Sequence, residues 1–375
     1  MKKKLKVMTI IGTRPEIIKL SQVINKLDIY CDHILVHTGQ NWDYTLNKVF
    51  FEDLQLREPD YYLGVVGETL GETMGNIIAK SYDLLQKEQP DAILILGDTN
   101  SALAAIPAKR LKVPIFHMEA GNRCFDQNVP EEINRKIVDH ISDVNLPYTE
   151  HARRYLLREG LMGEYTFVTG SPMREVFVKH QSQIDESNIL NDLNLKEKEY
   201  FLVSAHREEN IDNEENFMSL MTAINDVSEN YGLPIIFSTH PRTQRIIEKR
   251  GFVFHKNVNN IKPLGFMDYN KLQQNAYCVL SDSGTLAEES SMLGFASVSL
   301  RTSTERPEVL DKGTFIIGGI KTGEILQAIE MSVTMNNNNE AVVLAPDYSD
   351  TNVSIKVVKL IQSFTKLVNK DIWKK

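Results

Sequence analysis

The stretch that decides the fold reads Ala276-Tyr277-Cys278-Val279-Leu280-Ser281-Asp282-Ser283-Gly284-Thr285-Leu286-Ala287-Glu288-Glu289. Its apolar first part predicts a buried strand, and the polar turn that follows predicts the start of a helix. The first N–H groups of a helix have no partner within it, and the positive end of the helix dipole lies there too, so this turn favours a phosphate group. Glu289 follows about a turn and a half later, where it can reach ribose hydroxyls. A capped helix, with Thr285 and Glu288 as a capping box, is the alternative.

Short apolar runs alternate with longer amphipathic stretches along the whole chain. Runs of continuous apolarity are typical of strands that helices cover on both faces, and hence of parallel sheets. Strand–helix alternation over 375 residues predicts an α/β fold of two Rossmann-like, doubly wound domains. The predicted strands are 6–11, 32–37, 92–96, 113–118, 167–169, 201–204, 234–238 and 278–281.

The boundary between the two domains is expected after Val168-Thr169-Gly170-Ser171-Pro172, because a polar, charged segment then separates the two series of strands. Residues 1–170 are the first domain and residues 171–351 the second. A last helix, 352–375, is expected to pack back on the first domain with an apolar stripe at helical spacing. That stripe consists of Val353, Val357, Ile361, Phe364 and Val368.

Composition argues against several classes of protein. The net charge of −8 is unfavourable for a general nucleic-acid binder, whose affinity depends on clustered cations. Cys31, Cys124 and Cys278 form no CxxC pair, which favours reduced thiols in a cytoplasmic protein. Arg14 and Glu16 interrupt the apolar run near the basic start, and no segment approaches the roughly 18 apolar residues of a membrane span. We expect neither nucleic acid nor membrane as a partner.

Charged residues follow the strands of the first domain, at the edge where doubly wound sheets bind ligands. The first strand ends in Gly12-Thr13-Arg14-Pro15-Glu16, and Lys19 lies one helical turn further on, so that Arg14 and Lys19 can face an anion. Two other strands end in Asp98 and Glu119, which parallel topology places on the same edge. Carboxylates behind apolar runs are costly to desolvate and are candidates for acid–base chemistry. Solvated surface cations, and a helix cap at Asp98, are the alternatives.

A further helix is predicted from residue 130 onward. Its apolar face is expected to consist of three isoleucines, Ile133, Ile137 and Ile141. Glu131 and Arg135 lie four residues apart, so a surface ion pair is the simplest interpretation of these two residues.

Two histidines follow strands of the second domain, His206 after 201–204 and His240 after 234–238. The sequence contains no HxxxH or Cys/His spacing, so it indicates no metal site. The turn at Gly12 is neither a Walker loop nor GxGxxG, so it indicates neither nucleoside triphosphates nor dinucleotides. Arg306 comes just past another short strand.

Seven motifs in order between residues 5 and 320 resemble the non-hydrolysing UDP-N-acetylglucosamine 2-epimerases. The resemblance implies two Rossmann-like domains with a cleft between them, as in B-type glycosyltransferases. It also implies a UDP-sugar substrate, inversion at C2 without a nicotinamide or other cofactor, and a homodimer. The motifs are Gly12-Thr13-Arg14-Pro15-Glu16, Gly97-Asp98-Thr99, Glu119-Ala120-Gly121, Pro130-Glu131-Glu132-Ile133-Asn134-Arg135, His206-Arg207, Asp282-Ser283-Gly284 and Thr304-Glu305-Arg306-Pro307-Glu308.

The resemblance also assigns roles to single residues. It implies four catalytic residues, Asp98, Glu119, Glu131 and His206. It implies ten substrate contacts, with Tyr269 where the family places an aromatic residue near uracil; they are Arg14, Lys19, Arg135, His240, Tyr269, Ser283, Gly284, Thr285, Glu289 and Arg306.

The chain departs from the family at three places. Thr285 replaces a glycine, Glu208 replaces an arginine, and Asn41-Trp42-Asp43-Tyr44 stands where members regulated by their substrate carry His-Arg-Glu. We therefore carry no allosteric UDP-N-acetylglucosamine site over to this chain. The stretches 122–128 and 204–210 resemble a branch that makes UDP-N-acetyl-L-fucosamine from UDP-2-acetamido-2,6-dideoxy-L-talose, for capsule or O-antigen.

Several activities fit these residues. The chemistry that the resemblance implies is loss of UDP to give a glycal, followed by addition of UDP after a proton returns to C2 on the other face. The alternatives are epimerisation of UDP-N-acetylglucosamine and UDP-N-acetylmannosamine, a glycosyltransferase of the same shape, a hydrolysing epimerase, and a UDP-sugar sensor without catalysis.

Overall fold

The structure is a computed structural model, and it describes residues 4–39, 48–127, 129–340 and 344–375. The chain forms two compact units: unit 1 comprises Met1–Lys179 and Asp347–Lys375, and unit 2 comprises His180–Pro346. The division falls inside the helix Met173–Glu186, a short way beyond the boundary expected after residue 170. Residues 41–44, where the sequence departs from the family, lie outside the described residues.

Unit 1 contains a sheet of six parallel strands in the order β3-β2-β1-β4-β5-β6. Its central strands are buried along almost their whole length, as strands between two layers of helices must be. The strands are β1 (Lys6–Ile11), β2 (Asp32–His37), β3 (Tyr61–Tyr62), β4 (Ala92–Leu96), β5 (Ile115–Met118) and β6 (Val144–Leu146). The helices are α1 (Arg14–Tyr30), α2 (Lys48–Asp53), α3 (Leu70–Glu88), α4 (Ala105–Arg110), α5 (Pro130–Ile141), α6 (Glu150–Arg158) and α7 (Met173–Glu186), the last of which crosses the division.

Unit 2 repeats this architecture around its own six parallel strands. The strands are β7 (Phe201–Ser204), β8 (Ile235–Ser238), β9 (Val258–Ile261), β10 (Cys278–Ser281), β11 (Ser297–Ser299) and β12 (Ile316–Ile317). The helices are α8 (Ile189–Asp192), α9 (Glu208–Ile211), α10 (Glu214–Tyr231), α11 (Pro241–Arg250), α12 (Phe266–Asn275), α13 (Leu286–Leu293), α14 (Pro307–Leu310) and α15 (Thr322–Asn337). Phe201 and Val203 belong to one apolar cluster and Leu202 to another, so both faces of β7 are covered.

The strand order of unit 2, β12-β11-β10-β7-β8-β9, is that of unit 1 read from the other edge. In both sheets the first three strands are added toward one edge and the next three toward the other edge, although all strands run parallel. The strand order therefore reverses between β1 and β4 in unit 1 and between β7 and β10 in unit 2. Such a reversal opens a crevice at the carboxyl ends of the two strands, and ligands bind there. The predicted fold class, two Rossmann-like doubly wound α/β units, is confirmed.

Two prolines shorten predicted strands. Pro114 and Pro234 have no N–H to donate to a ladder, so β5 begins at Ile115 rather than at 113, and β8 begins at Ile235 rather than at 234. The prolines still accept backbone hydrogen bonds from the neighbouring strands through their carbonyl groups.

The predicted strand 167–169 is wrong. Phe167 N donates to the carbonyl of Asn145 in β6 and Thr169 N to that of Pro147 just after it, but among the described residues the pairing amounts to one isolated bridge between Asn145 and Thr166. Gly170 then takes a left-handed conformation with φ of 84° and turns the chain away.

The predicted apolar face of α5 is wrong for two of its three isoleucines, whereas Ile141 is partly buried and packs against the apolar core of unit 1. Ile133 is 54% exposed and Ile137 is 38% exposed. The buried face of α5 is mostly polar and consists of Glu132, Asn134, Arg135, Val138 and Asp139. Polar side chains can take this face because partners from other elements satisfy them, as described below.

The C-terminal helix α16 (Val353–Asp371) belongs to unit 1, where it packs against α1. Val353, Val357, Ile361 and Val368 are buried, and Phe364 packs its ring against Phe167 with 4.6 Å between the ring centroids. Among the helices of the described ranges, none is both long enough and apolar enough to cross a membrane.

Candidate active site

A buried carboxyl, Glu16, links the two loops at the crevice of unit 1. Its side chain, 1% exposed, accepts hydrogen bonds from Gly12 N (3.0 Å), Thr13 Oγ1 (2.8 Å) and Thr99 Oγ1 (3.1 Å). Burial raises the pKa of Glu16 to about 7, although these three donors oppose the shift. The loop after β1 is thereby tied to the loop after β4, which carries Asp98. Sequence reasoning gave Glu16 no role.

Asp98 is held by α5. Arg135 Nε donates to Asp98 Oδ2 over 2.6 Å, and Arg135 Nη1 donates to Glu132 Oε2 over 2.8 Å. Asn134 Nδ2 donates to the backbone carbonyl of Asp98 over 3.0 Å. Arg135, which the resemblance assigns to the substrate, is buried and contacts Asp98.

Glu119 lies at the end of the neighbouring strand, beside the loop of Asp98. Its carboxylate Oε2 is 2.7 Å from Lys19 Nζ, and its Oε1 accepts from Asn122 Nδ2 over 3.3 Å. A Cβ on Gly97 would lie 3.9 Å from Glu119 Oε2, which places this carboxylate against the turn after β4. Glu119 has a φ of 63°, a left-handed conformation that is uncommon for a residue with a side chain and is often found at functional sites.

Arg14 and Glu131 lie in the first turns of the two helices that carry Lys19 and Arg135. Arg14 is the first residue of α1, which also contains Lys19, and its guanidinium carbon lies 5.8 Å from the centroid of Phe50. Glu131 is partly buried in the first turn of α5, which also contains Arg135. In unit 1 the structure thus joins Lys19 to Glu119 and Arg135 to Asp98.

A fully buried ionic cluster supports the end of β5. Asp139 Oδ1 lies 2.9 Å from His117 Nδ1, and Asp139 Oδ2 lies 2.7 Å from Arg123 Nη1. Asp139 also accepts from Gly121 N, and His117 Nε2 lies 2.7 Å from the carbonyl oxygen of Gly97. The cluster fixes the turns on both sides of Glu119. Sequence reasoning missed it, because its members look like ordinary helix and strand residues.

Asp282 ties together the two loops at the crevice of unit 2. It is fully buried and accepts from the backbone N–H groups of His206 (2.9 Å) and Arg207 (2.9 Å) and from Asn210 Nδ2 (3.2 Å). Its Oδ1 also lies 3.4 Å from His206 Nδ1. Asp282 therefore orients the loop that carries His206, much as Glu16 connects the loops of unit 1. An aspartate that directly follows a buried strand was the available sequence signal.

The two predicted histidines are neighbours. The rings of His206 and His240 lie 6.2 Å apart, at the ends of the adjacent strands β7 and β8. His240 is also the N-cap of α11, where its Nδ1 accepts from Arg242 N over 3.2 Å. Both rings are partly exposed at the carboxyl edge of the sheet.

The turn after β10 opens α13 without the capping box that was the alternative interpretation of this stretch. Ser283 Oγ lies 3.0 Å from Thr285 Oγ1, so these two hydroxyls pair with each other. Glu288 is fully buried and directs Oε2 toward Arg306 Nη2 at 3.7 Å, rather than back toward Thr285. The first turn of α13, with Arg306 beside it, has the character of an anion site.

Gly284 in this turn is closely packed. A Cβ built on Gly284 would lie 2.5 Å from Glu305 Oε1, closer than side chains tolerate. Glu305 is in turn fixed by Arg301 Nη1, which donates to its Oε2 over 2.7 Å.

Glu289 is oriented by a residue that sequence reasoning missed. Gln273 Nε2 donates to Glu289 Oε2 over 2.6 Å, and Gln273 is buried. Tyr269 lies one turn earlier on the same face of α12, because residues four apart on a helix are neighbours. The predicted ribose and uracil residues of unit 2 thus lie on adjoining helices.

A family model agrees with the sequence motifs. Residues 25–362 match the family described as UDP-N-acetylglucosamine 2-epimerase. The chain belongs to this family. The epimerase is similar to the solved UDP-N-acetylglucosamine 2-epimerase from Rickettsia bellii, with 47% identity, coverage of 99% of this chain and 100% of that chain, and a TM-score of 0.91.

Two more relatives extend the comparison. Methanocaldococcus jannaschii UDP-GlcNAc 2-epimerase, solved in complex with UDP-GlcNAc and UDP, is 34% identical and covers 96% of this chain and 99% of its own, with a TM-score of 0.89. UDP-2,3-diacetamido-2,3-dideoxy-D-glucuronate 2-epimerase from Pseudomonas aeruginosa is 34% identical over 88% of this chain and 92% of its own. The family that the motifs indicate is confirmed, and the protein is a nucleotide-sugar epimerase that acts on a UDP-sugar.

The geometry suits each unit of the epimerase to one part of such a reaction. Unit 1 gathers two carboxylates, Asp98 and Glu119, each against a buried cation. Unit 2 gathers a helix start, the buried Arg306 and two histidines. Carboxylates serve proton transfer and stabilise positive charge, whereas cations and N–H groups hold phosphate.

Proposed function

We propose that this epimerase inverts C2 of UDP-2-acetamido-2,6-dideoxy-L-talose and so makes UDP-N-acetyl-L-fucosamine. The stretches 122–128 and 204–210, which resemble the branch with this activity, support the choice. Both reach candidate site residues: Asn122 donates to Glu119 over 3.3 Å, and Asn210 donates to Asp282 over 3.2 Å. Residues that touch such groups are where differences in sugar recognition are expected. This pair of contacts carries the proposal.

The reaction begins with departure of UDP. A C2 hydrogen next to an amide nitrogen is not acidic, so direct removal is unfavourable. When the bond between C1 and the UDP oxygen breaks first, positive charge spreads over C1 and the ring oxygen and acidifies the C2 hydrogen. Loss of that proton gives a glycal. A proton then returns to C2 on the other face, and UDP adds back at C1.

We assign the leaving group to the residues of unit 2. Negative charge grows on the diphosphate as the C1–O bond breaks, so donors aimed at it stabilise the transition state more than the ground state. The Gly284 N–H group, the Arg306 guanidinium and His206 are these donors. Each well-placed donor typically contributes about 3–4 kcal/mol to the transition state. We assign Arg14 and Lys19 of unit 1 the same role, which is to stabilise negative charge. Lys19 does this while it also pairs with Glu119.

We assign the sugar ring to the carboxylates of unit 1. Asp98, Glu119 and Glu131 stabilise the positive ring and move the C2 proton. Opposite faces of C2 require two proton-transfer groups, which the three carboxylates can supply. Glu119 and Asp98 are each held by a cation, Lys19 and Arg135 respectively.

Epimerisation between UDP-N-acetylglucosamine and UDP-N-acetylmannosamine is the second candidate. It is supported by the names of the relatives from Rickettsia bellii and Methanocaldococcus jannaschii. Aligned by sequence, the Pseudomonas aeruginosa relative is 34% identical, against 36% for the Methanocaldococcus jannaschii protein, and it is named for a different sugar. Sequence identity at this level therefore leaves the sugar to be decided by experiment.

Proton NMR of the anomeric signals decides between these substrates. The protein is incubated separately with UDP-2-acetamido-2,6-dideoxy-L-talose and with UDP-N-acetylglucosamine. We expect the 6-deoxy-L-talose nucleotide to convert at least tenfold faster than UDP-N-acetylglucosamine. A tenfold difference in rate corresponds to a difference of about 1.4 kcal/mol in activation free energy. Faster conversion of UDP-N-acetylglucosamine contradicts the proposed substrate and establishes the second candidate. Release of free sugar and UDP would indicate a hydrolase.

The homodimer expected from the resemblance stays a prediction. Light scattering coupled to size exclusion measures the molar mass directly. A mass of about twice the 42.7 kDa of the chain is the expected result.

A further inference from the structure

The inward face of α5 is mostly polar, although an apolar face is the usual way for a helix to pack on a core. Glu132 and Asp139 are fully buried, and Asn134 and Arg135 are nearly so, while Ile133 is more than half exposed. Buried ion pairs often stabilise a protein less than apolar residues of similar volume do. Their role is therefore to be found in the residues that these side chains contact.

Arg135 lies between two carboxylates, one buried and one at the candidate site. Its Nη1 donates to Glu132 Oε2 over 2.8 Å and its Nε donates to Asp98 Oδ2 over 2.6 Å. Glu132 is itself fixed, because its Oε2 also accepts from the backbone N–H of Cys124 over 3.2 Å. A guanidinium is planar and rigid, so fixing one edge of Arg135 on Glu132 sets the direction of the edge that faces Asp98.

The backbone around Asp98 needs this support. Gly97 has a φ of 69°, a turn conformation that only the lack of a side chain makes easy, and glycine also leaves the chain free to move. Asn134 Nδ2 donates to the Asp98 carbonyl over 3.0 Å and to Asn100 Oδ1 over 3.1 Å. The main chain and the carboxylate of Asp98 are thus both held by neighbouring residues of α5.

We propose that Arg135, fixed by Glu132, is a positioning residue that sets the carboxylate of Asp98 for its role at the sugar ring. The inference rests on the proposed function, in which Asp98 is a catalytic acid. It moves Arg135 from the substrate contacts that the resemblance implies to the support of Asp98. It also gives Glu132 a role, which is to hold Arg135 in position, beside the catalytic role assigned to its neighbour Glu131.

The test separates positioning from ordinary structural support. Arg135→Met leaves Glu132 buried and charged without its arginine, so it should lower the melting temperature and reduce kcat about 100-fold, the loss typical of a 1 Å misplacement. The double variant Arg135→Met/Glu132→Gln removes that buried charge. We expect it to regain most of the melting temperature but not kcat. KM, and the Kd for UDP by calorimetry, should stay within about twofold of the wild type, because neither residue binds substrate.

A matched control is the pair Arg153–Glu150 in α6, which has the same residue types at the same i,i+3 spacing in unit 1. Arg153→Met and Arg153→Met/Glu150→Gln should leave kcat unchanged. All proteins are assayed by NMR with both nucleotides of the preceding experiment.

Three results would overturn the inference while the wild type remains active. They are recovery of kcat together with melting temperature in the double variant, normal kcat in Arg135→Met, and a raised KM at unchanged kcat, which would make Arg135 a substrate contact. If the wild-type protein converts neither nucleotide and exchanges no C2 hydrogen, the proposed function fails and the inference falls with it.

Discussion

Lys19 Nζ lies 2.7 Å from Glu119 Oε2, and both side chains are buried at the carboxyl end of the sheet of unit 1. The ammonium also lies 5.7 Å from the ring centroid of Tyr148. Glu119 reaches this position from a left-handed backbone, so its carboxylate is fixed both by the turn and by the lysine. A carboxylate fixed in this way suits a reaction in which a proton must leave one face of a sugar ring and return to the other.

Lys19→Met should destabilise the protein strongly. It leaves Glu119 buried without its cation, and breaking a buried pair in this way typically costs about 3–5 kcal/mol. Urea denaturation, followed by a probe in unit 1, measures the loss. Lys19→Met/Glu119→Gln should recover much of it. Lys48→Met, which removes the exposed partner of Glu52, serves as the control and should change stability by at most about 1 kcal/mol. An equal loss in both single variants would contradict a stabilising role for the buried pair.

Glu16→Gln should change how stability depends on pH. Burial raises the pKa of Glu16 to about 7, from 4.5 in an exposed chain. Between these pH values the folded protein holds a proton that the unfolded chain has released, so the contribution of Glu16 to stability falls as pH rises through the window. Gln cannot ionise, and the variant should gain about 2–3 kcal/mol relative to the wild type between pH 5 and pH 8.

Denaturation curves at several pH values measure this difference. Glu68→Gln, at an exposed position of unit 1, is the matched control and should follow the wild type at every pH. A Glu16→Gln curve parallel to that of the wild type would show that the carboxyl titrates normally in the folded protein.

Gly284→Ala should weaken UDP binding. The added Cβ would lie 2.5 Å from Glu305 Oε1, so Glu305 or the turn has to move and the Gly284 N–H group loses its alignment. We expect about tenfold weaker binding by calorimetry, equivalent to about 1.4 kcal/mol. Gly323→Ala in α15 is the control, because its Cβ meets no atom within 4 Å. Unchanged affinity in Gly284→Ala would remove this turn from the UDP site.

The fold was largely predictable from the sequence because its central strands are apolar on both faces. β1, β2, β4, β7 and β10 begin and end where the apolar runs do. The edge strands β3 and β12 contain two residues each, too few for any pattern to show. Local periodicity thus finds the longer buried strands and misses the two-residue edges, and it also misses the short buried strands β6 and β11.

The candidate site was less predictable, because its contacts join residues distant in sequence. The isoleucines of α5 predicted an apolar buried face. The polar face is buried instead, because its Arg135 pairs with Asp98, which lies 37 residues away in the sequence. Gln273 and Glu289 likewise meet only because α12 packs beside α13. The resemblance supplied the first set of residues, and the tertiary contacts add those that hold them.

Gln273→Leu should reduce discrimination at the ribose. Gln273 Nε2 donates to Glu289 Oε2 over 2.6 Å and so orients the carboxylate that we expect to bind ribose hydroxyls. Calorimetry with UDP and with 2′-deoxy-UDP measures the preference. The wild type should prefer UDP, and Gln273→Leu should lose about 1 kcal/mol of that preference, the usual net worth of one hydrogen bond. An equal preference in both proteins would place Glu289 away from the ribose.

Epimerisation in deuterated water tests the loss and return of the C2 proton most directly. In the proposed reaction UDP leaves, the C2 proton is lost and a new proton returns to C2. Product formed in deuterium oxide should therefore carry deuterium at C2. Proton NMR detects this as loss of the C2 proton signal and collapse of its coupling to the C1 proton. Asp98→Asn should bind UDP and show neither conversion nor exchange. Product that keeps its original C2 hydrogen would contradict the account.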